Sequence, residues 1–215
     1  METPEAIRTR RTLKVIAAAN APWPADDSLP TEALDEIIAL AGMAPFHKPA
    51  DKSYREGIDA LVPWRFHVLD AVNCRALLQN LQARGIEGGK ISGMLATADA
   101  LVQVTWLPNP AKGNKIKQLF DPTLQNMEHI AAASSAVQNL LLAATDREIP
   151  NYWSSGGILR EPAQYDLLGI PSREILLGSI FLFPADTRDA ELHEGKLRPL
   201  REPVADWARR VVIRP

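Results

Sequence analysis

Apolar positions recur every three to four residues in several stretches of the chain. Leu34, Ile37, Ile38 and Ala41 form one such face. Thr31 ahead of them suits a helix N-cap, and Pro45 behind them cannot continue a helix. A second helix is predicted over 71–84, with Leu77, Leu78 and Leu81 turned inward. The longest helix is predicted from about 122 to 147, where Leu124, Met127, Ile130, Ala131, Val137, Leu140, Leu141 and Ala144 recur at helical intervals. Its small-residue block over 131–136 admits another backbone closely, which places it at a core centre or a subunit interface. Residues 4–19 read as a basic amphipathic helix and 161–168 as a short one.

The period shortens to two over 99–107, where Ala100, Val102, Val104 and Trp106 share a face, so this segment reads as a strand. Residues 65–70 read as another. The run 174–184 is almost continuously apolar and reads as a strand buried on both faces. Between these elements lie a proline loop at 21–27, a polar surface excursion with a short helix at 49–61 and a glycine-rich turn at 85–89. A lysine-bearing loop follows at 111–121 and another loop at 149–157. The tail from Thr187 is polar until Val204-Ala205-Asp206-Trp207 and Val211-Val212-Ile213.

Composition narrows the possibilities. With 215 residues, 46% of them hydrophobic, the chain suits one domain spanning 1–215 with a full core. A formal net charge of −2 gives no global attraction to nucleic acid, so none is expected as a partner. Cys74 is the only cysteine, which excludes an internal disulfide and suits a reducing compartment, by default the cytoplasm. No apolar run is long enough to span a bilayer and the first fourteen residues are charged, so neither a membrane anchor nor a signal peptide is expected. His47, His67, His129 and His193 show no ligand spacing, and no metal site is expected. Dinucleotide-binding, phosphate-loop and nucleophile-elbow glycine motifs are all missing from the sequence.

Several motifs in order carry a resemblance. The basic run Arg8-Thr9-Arg10-Arg11-Thr12-Leu13-Lys14 precedes Ala44-Pro45-Phe46-His47-Lys48-Pro49, and then Pro63-Trp64-Arg65-Phe66 at a strand start. Downstream stand Gln138-Asn139-Leu140-Leu141-Leu142-Ala143-Ala144, Asn151-Tyr152-Trp153-Ser154-Ser155-Gly156-Gly157 and Leu168-Gly169-Ile170-Pro171. In this order and spacing the chain resembles the FMN-dependent nitroreductase family, most closely its small bacterial NAD(P)H nitroreductase subgroup. The stretch 49–61 is an insertion relative to that pattern.

The resemblance implies an α+β fold with a mostly antiparallel sheet sandwiched by helices. It also implies a homodimer with the long helix and the flavin at its interface, and a segment at 209–215 adding a strand to the partner's sheet. The implied activity is ping-pong hydride transfer from NAD(P)H, a transient co-substrate, through FMN to a small oxidant such as a nitroaromatic or quinone. The cofactor does the redox chemistry, so no catalytic side chain is expected. Other uses of the scaffold are dehalogenation, heterocycle oxidation, flavin degradation, or flavin binding without turnover.

Site residues follow from the same match. Arg10 and Thr12 would contact the phosphate or ribityl chain with Arg11 nearby, and Lys14 would approach the pyrimidine end of the ring. Taken alone, that run is a solvated helix face. Lys196 and Arg198 would complete the phosphate site, though alone they are a surface charge pair. His47 would touch the flavin from the partner subunit, its plain alternative being an exposed loop histidine. Pro63 and Trp64 would frame the pocket, while the simplest reading of Trp64 is core packing. Trp153, Ser154, Ser155 and Gly156 would run along the flavin face, where glycine permits close backbone approach. Ser154 stands where the subgroup carries an arginine.

Overall fold

Strands rich in Val, Leu and Ile assemble the centre of the protein. In the computed structural model, which describes residues 1–26, 28–55, 57–109, 120–187 and 190–213, helix α1 (Thr3–Thr9) leads into strand β1 (Leu13–Ile16). Helix α2 (Thr31–Ala41), strand β2 (Trp64–Asp70), helices α3 (Ala71–Ala83) and α4 (Lys90–Leu95) and strand β3 (Ala100–Trp106) follow. Helix α5 (Leu124–Asp146), strand β4 (Asn151–Ser154), helix α6 (Pro162–Leu168), strands β5 (Ile175–Leu182) and β6 (Glu191–Glu194) and helix α7 (Val204–Trp207) complete the order. Four strands form a sheet in the order β2-β3-β5-β4, and β1 pairs with β6 in a separate two-stranded ribbon. Every pairing is antiparallel.

Helices cover both faces of the main sheet. On one side Val102, Val104, Ile180 and Leu182 meet Leu34 and Ile37 of α2 and Val137 and Leu140 of α5. On the other, Leu101 and Phe181 meet Leu77, Leu78 and Leu81 of α3, Met94 and Leu95 of α4, and Val15 of β1. Since both faces are covered, all seven residues of β3 are buried, and the alternation expected of a half-exposed strand is absent. Asp70 caps α3 by accepting from the Asn73 amide, and Thr123 caps α5 by accepting from the Asn126 amide.

The predicted helix at 4–19 stops at Thr9. Arg10 turns to an extended conformation, and the following Leu-Lys-Val-Ile becomes β1 because it finds β6 as a ladder partner. For the same reason, part of the polar tail is a strand. The predicted loop at 149–157 likewise contains β4, held along the edge of β5. Thr31 is the first residue of α2 rather than its cap; Pro30 occupies that place and no side chain caps the helix. That helix closes at Ala41, before Pro45. Leu124 and Met127, which share the helical repeat of the buried Val137 and Leu140, are exposed at 73% and 60%. Helix α4 was not foreseen. Among its described residues the 49–61 excursion contains one 3-10 turn, at Lys52–Tyr54, and most of the predicted lysine loop, including Lys112, Lys115 and Lys117, lies outside the described residues.

Candidate functional site: a basic cleft beside the β1–β6 ribbon

The ribbon aligns Leu13 with Glu194, Lys14 with His193, Val15 with Leu192 and Ile16 with Glu191. This register brings together two charged segments far apart in sequence. Gly195 donates its amide to the Thr12 carbonyl at 2.8 Å, and a side chain at Gly195 would meet Thr12 Cβ at 2.9 Å, so the junction is tightly closed. Beside it lies a cleft of about 1020 Å³ lined by Arg10, Arg11, Thr12 and Lys14 on one side and by residues 193–199 and Arg201 on the other. Lys90 of α4 and Tyr152 of β4 complete the lining.

Six residues singled out in the sequence, Arg10, Arg11, Thr12, Lys14, Lys196 and Arg198, therefore share one cleft. Arg198 has a second task. Its guanidinium donates to the carbonyls of Arg8 and Arg10, which ties the 198–200 turn to the end of α1. The Lys14 ammonium lies 4.8 Å from the centre of the Tyr152 ring, a cation–π contact that fixes where this charge points. Burial, followed by the like charges of Arg201 and Arg198, pushes the Arg10 guanidinium below its ordinary value. Desolvation, then Arg11 and Arg201, lowers Arg198 in the same direction. The cleft thus holds cations close enough to repel one another, and an anion between them relieves that repulsion.

The remaining sequence candidates lie elsewhere. Trp64 is 5% exposed and packs with Trp106, Ala132, Ala133 and Ala136, with the Phe46 ring edge-on at 5.9 Å, so it fills the core. Pro63 accepts the Leu107 amide through its carbonyl at 2.9 Å, and is buried. His47 is exposed and its Nδ1 lies 3.0 Å from Glu128. Neighbours on β4 point to opposite sides of the sheet: Tyr152 packs toward α3 and α4, whereas Trp153 packs toward α2 and α5 and lies over Gly178. Ser154 is buried and accepts the Gly156 amide at 3.2 Å. Gly156 itself has φ of 108°, a conformation that favours glycine. Ser155 is exposed, and its carbonyl accepts from Arg160, which also donates to the carbonyls of Leu176 and Leu177.

Lys90, Tyr152 and Arg201 were missed as site residues. Tyr152 sits beside Trp153, whose motif masked it, and Lys90 opens a helix that the glycine turn before it did not announce. Arg201 lies three residues beyond Arg198, a spacing that carried no signal until the turn was seen.

The other histidines have ordinary partners: His67 Nε2 is 2.7 Å from Glu174, His129 Nδ1 is 2.7 Å from the Leu107 carbonyl, and His193 Nε2 is 2.8 Å from Glu191. Among the described residues no cluster of three or more His, Cys, Asp or Glu could hold a metal, and no helix is long and apolar enough to cross a membrane.

No family model and no curated protein matches the sequence. Solved structures do match the fold. A nitroreductase-like family protein from Bacillus cereus aligns with a TM-score of 0.65 at 21% identity, over 98% of this chain and 96% of its own. A Desulfovibrio desulfuricans protein assigned as a nitroreductase and solved in complex with FMN aligns at 0.59 and 20% identity, over 100% and 99%. A Staphylococcus epidermidis protein assigned as an NAD(P)H:FMN oxidoreductase aligns at 0.62 and 18%, over 98% and 96%. The sheet order, the flanking helices and these matches agree, and the chain has the nitroreductase-like fold.

Proposed function

We propose that the protein is an FMN-dependent oxidoreductase that accepts hydride from NAD(P)H and passes reducing equivalents to a small oxidant such as a nitroaromatic or quinone. The observation that carries this reading is the β1–β6 pairing, which joins the 10–14 run to the 196–198 segment in one cleft. Each was expected separately to bind the same phosphate.

The donors suit that group. Arg and Lys side chains make charge-assisted hydrogen bonds to phosphate oxygens, and the crowded guanidiniums of Arg10 and Arg198 gain from a doubly charged anion. Arg10, Thr12, Lys196 and Arg198 would hold the phosphate, with Arg11 at the rim. Lys14, steadied over Tyr152, would face the polar end of the ring. Gly156, held by Ser154, would bring backbone to the ring face. FMN, when bound, supplies the hydride chemistry; the side chains bind and orient it, and none is needed as an acid or base.

Two apolar surfaces support a homodimer. Leu40, Met43, Phe46, Leu124 and Met127 are exposed along the ends of α2 and α5. Val211, Val212 and Ile213 are exposed by 82–88%, while β2 and β4 are edge strands of the main sheet. His47 would then reach the flavin of the partner. The one buried thiol, Cys74, suits the cytoplasm as the place of work.

The test is a visible spectrum of the protein with FMN, before and after anaerobic NADPH or NADH. Tight binding that bleaches supports the reading, binding without bleaching leaves a flavin-binding protein, and no binding removes it. Sedimentation at micromolar concentration tests the dimer, which a monomer would exclude.

A further inference from the structure

The cleft carries more positive charge than a single phosphate neutralises, and we infer that the surplus selects a hydride donor with an additional phosphate, NADPH over NADH, through Lys90 and Arg201. This inference rests on the FMN oxidoreductase reading above and names the donor that the same cleft takes.

The charge count is lopsided. Among the described residues, seven cationic side chains, Arg10, Arg11, Lys14, Lys90, Lys196, Arg198 and Arg201, line the cleft against the one carboxylate of Glu194. His193 is engaged by Glu191 at 2.8 Å. A phosphate monoester carries a charge of about −1.5 to −2 at neutral pH, so the phosphate of FMN leaves roughly four positive charges uncompensated. The pyrophosphate of NADH removes about half of these. The further 2′-phosphate of NADPH, worth about as much as the first monoester, brings the cleft close to neutrality. Walls of one sign focus their field on whatever enters, so the imbalance acts on the ligand more strongly than the same charges would on an open surface.

Lys90 and Arg201 are the two cations best placed to read that extra group. Arg198 is shared between the carbonyls of Arg8 and Arg10 and the flavin phosphate proposed above, and Lys14 lies against the Tyr152 ring. Lys90 is the only lining cation contributed by α4, outside the ribbon and its following turn. Arg201 closes that turn and faces the like charges of Arg10 and Arg198. Both side chains are exposed and long enough to swing onto a ligand. A 2′-phosphate between them would be held by charge alone on one side and by a guanidinium fork on the other.

Two readouts on the FMN-loaded protein test this. The first is kcat/KM with NADPH and with NADH. The second is calorimetric binding of adenosine 2′,5′-bisphosphate against adenosine 5′-monophosphate. We expect about a tenfold or greater preference for NADPH and for the bisphosphate. In the Lys90→Ala/Arg201→Ala variant both ratios should fall close to one, through a raised KM for NADPH, while Arg201→Lys keeps part of the preference. FMN content, read photometrically before either assay, reports that each variant is folded. Equal use of the two donors, or ratios unchanged in the double variant, overturns the inference. A protein that takes up no FMN fails at that first reading instead, and removes the parent proposal together with this one.

Discussion

Two groups of arginines in this protein do opposite work. Arg65 and Arg75 are 4% and 9% exposed, and each buries its guanidinium among backbone carbonyls. Arg65 donates to Ile58, Ala60, Val62 and Trp64, which gathers the 49–61 excursion onto the start of β2. Arg75 donates to Trp23, Leu95 and Ala98, and so pins α3 to the end of α4 and to the loop before α2. In both, neutral oxygens replace the water that burial removed. The cleft arginines Arg10, Arg11, Arg198 and Arg201 instead sit among other cations. Residue type is the same in both places; the difference is whether the charge is matched by carbonyls alone, as at Arg65 and Arg75, or crowded among like charges, as in the cleft, where Arg198 also donates to carbonyls.

The largest effect expected from breaking this contrast is on the buried side. Arg75→Ala leaves three carbonyls without their donor and opens a gap, at a cost of roughly 3 kcal/mol in urea unfolding. Arg65→Ala should cost less, roughly 2 kcal/mol, because the excursion it holds is nearer solvent. On the cleft side the sign reverses. Arg10→Ala with Lys196→Ala should leave urea stability unchanged or slightly raised, while FMN affinity in a fluorescence titration drops roughly 10- to 100-fold, as for loss of a charge-assisted contact. A fall in stability as large as that of Arg75→Ala would mean the cleft charges are structural too. The smallest expected effect needs no mutation: added inorganic phosphate should raise the melting temperature of the flavin-free protein, by about 1 kcal/mol of binding linkage at a few times its dissociation constant. It should do nothing for the double variant.

The lone thiol supplies an independent check on the buried side. Burial pushes Cys74 from an ordinary 9.0 up to about 12. Its folded value is the higher one, so its neutral form contributes stability in full below about pH 9, and that contribution is lost as pH rises from 9 toward 12. Native protein should resist iodoacetamide at pH 8, whereas unfolded protein reacts. Rapid native labelling would contradict the burial.

Local patterns made α2, α3, α5, β2, β3 and β5 legible, since helical spacing around Leu77 and Leu140 and the apolar run at 175–182 need no distant partner to be recognised. What escaped was non-local. Leu13–Ile16 is too short to announce a strand and Glu191–Glu194 too short and too polar, and each is one only because the other exists. Asn151–Ser154 depends in the same way on β5, where Gly178 makes room for Trp153. The basic run and the Lys196-Leu197-Arg198 segment were visible as residues, but their meeting was not. Lys90 and Arg201 could not be found without it. Exposure of Leu124 and Met127 was equally illegible, because helical spacing identifies an apolar face without saying what covers it.

The ribbon also sets a schedule. Leu13 pairs with Glu194, so on the ribosome the first half of the anion cradle waits until residues beyond 194 have emerged, roughly 10 to 40 s at ordinary elongation rates. During that interval Arg10, Arg11 and Lys14 are an unfinished cradle on a growing chain whose main sheet can already pair. On the reading proposed above, a flavin phosphate arriving early would find only half its ligands, and a chain stopped short of residue 191 would keep most of its main sheet but lose the β1–β6 pairing. On that reading, cofactor uptake would wait for residues beyond 194, with β6 acting as the latch.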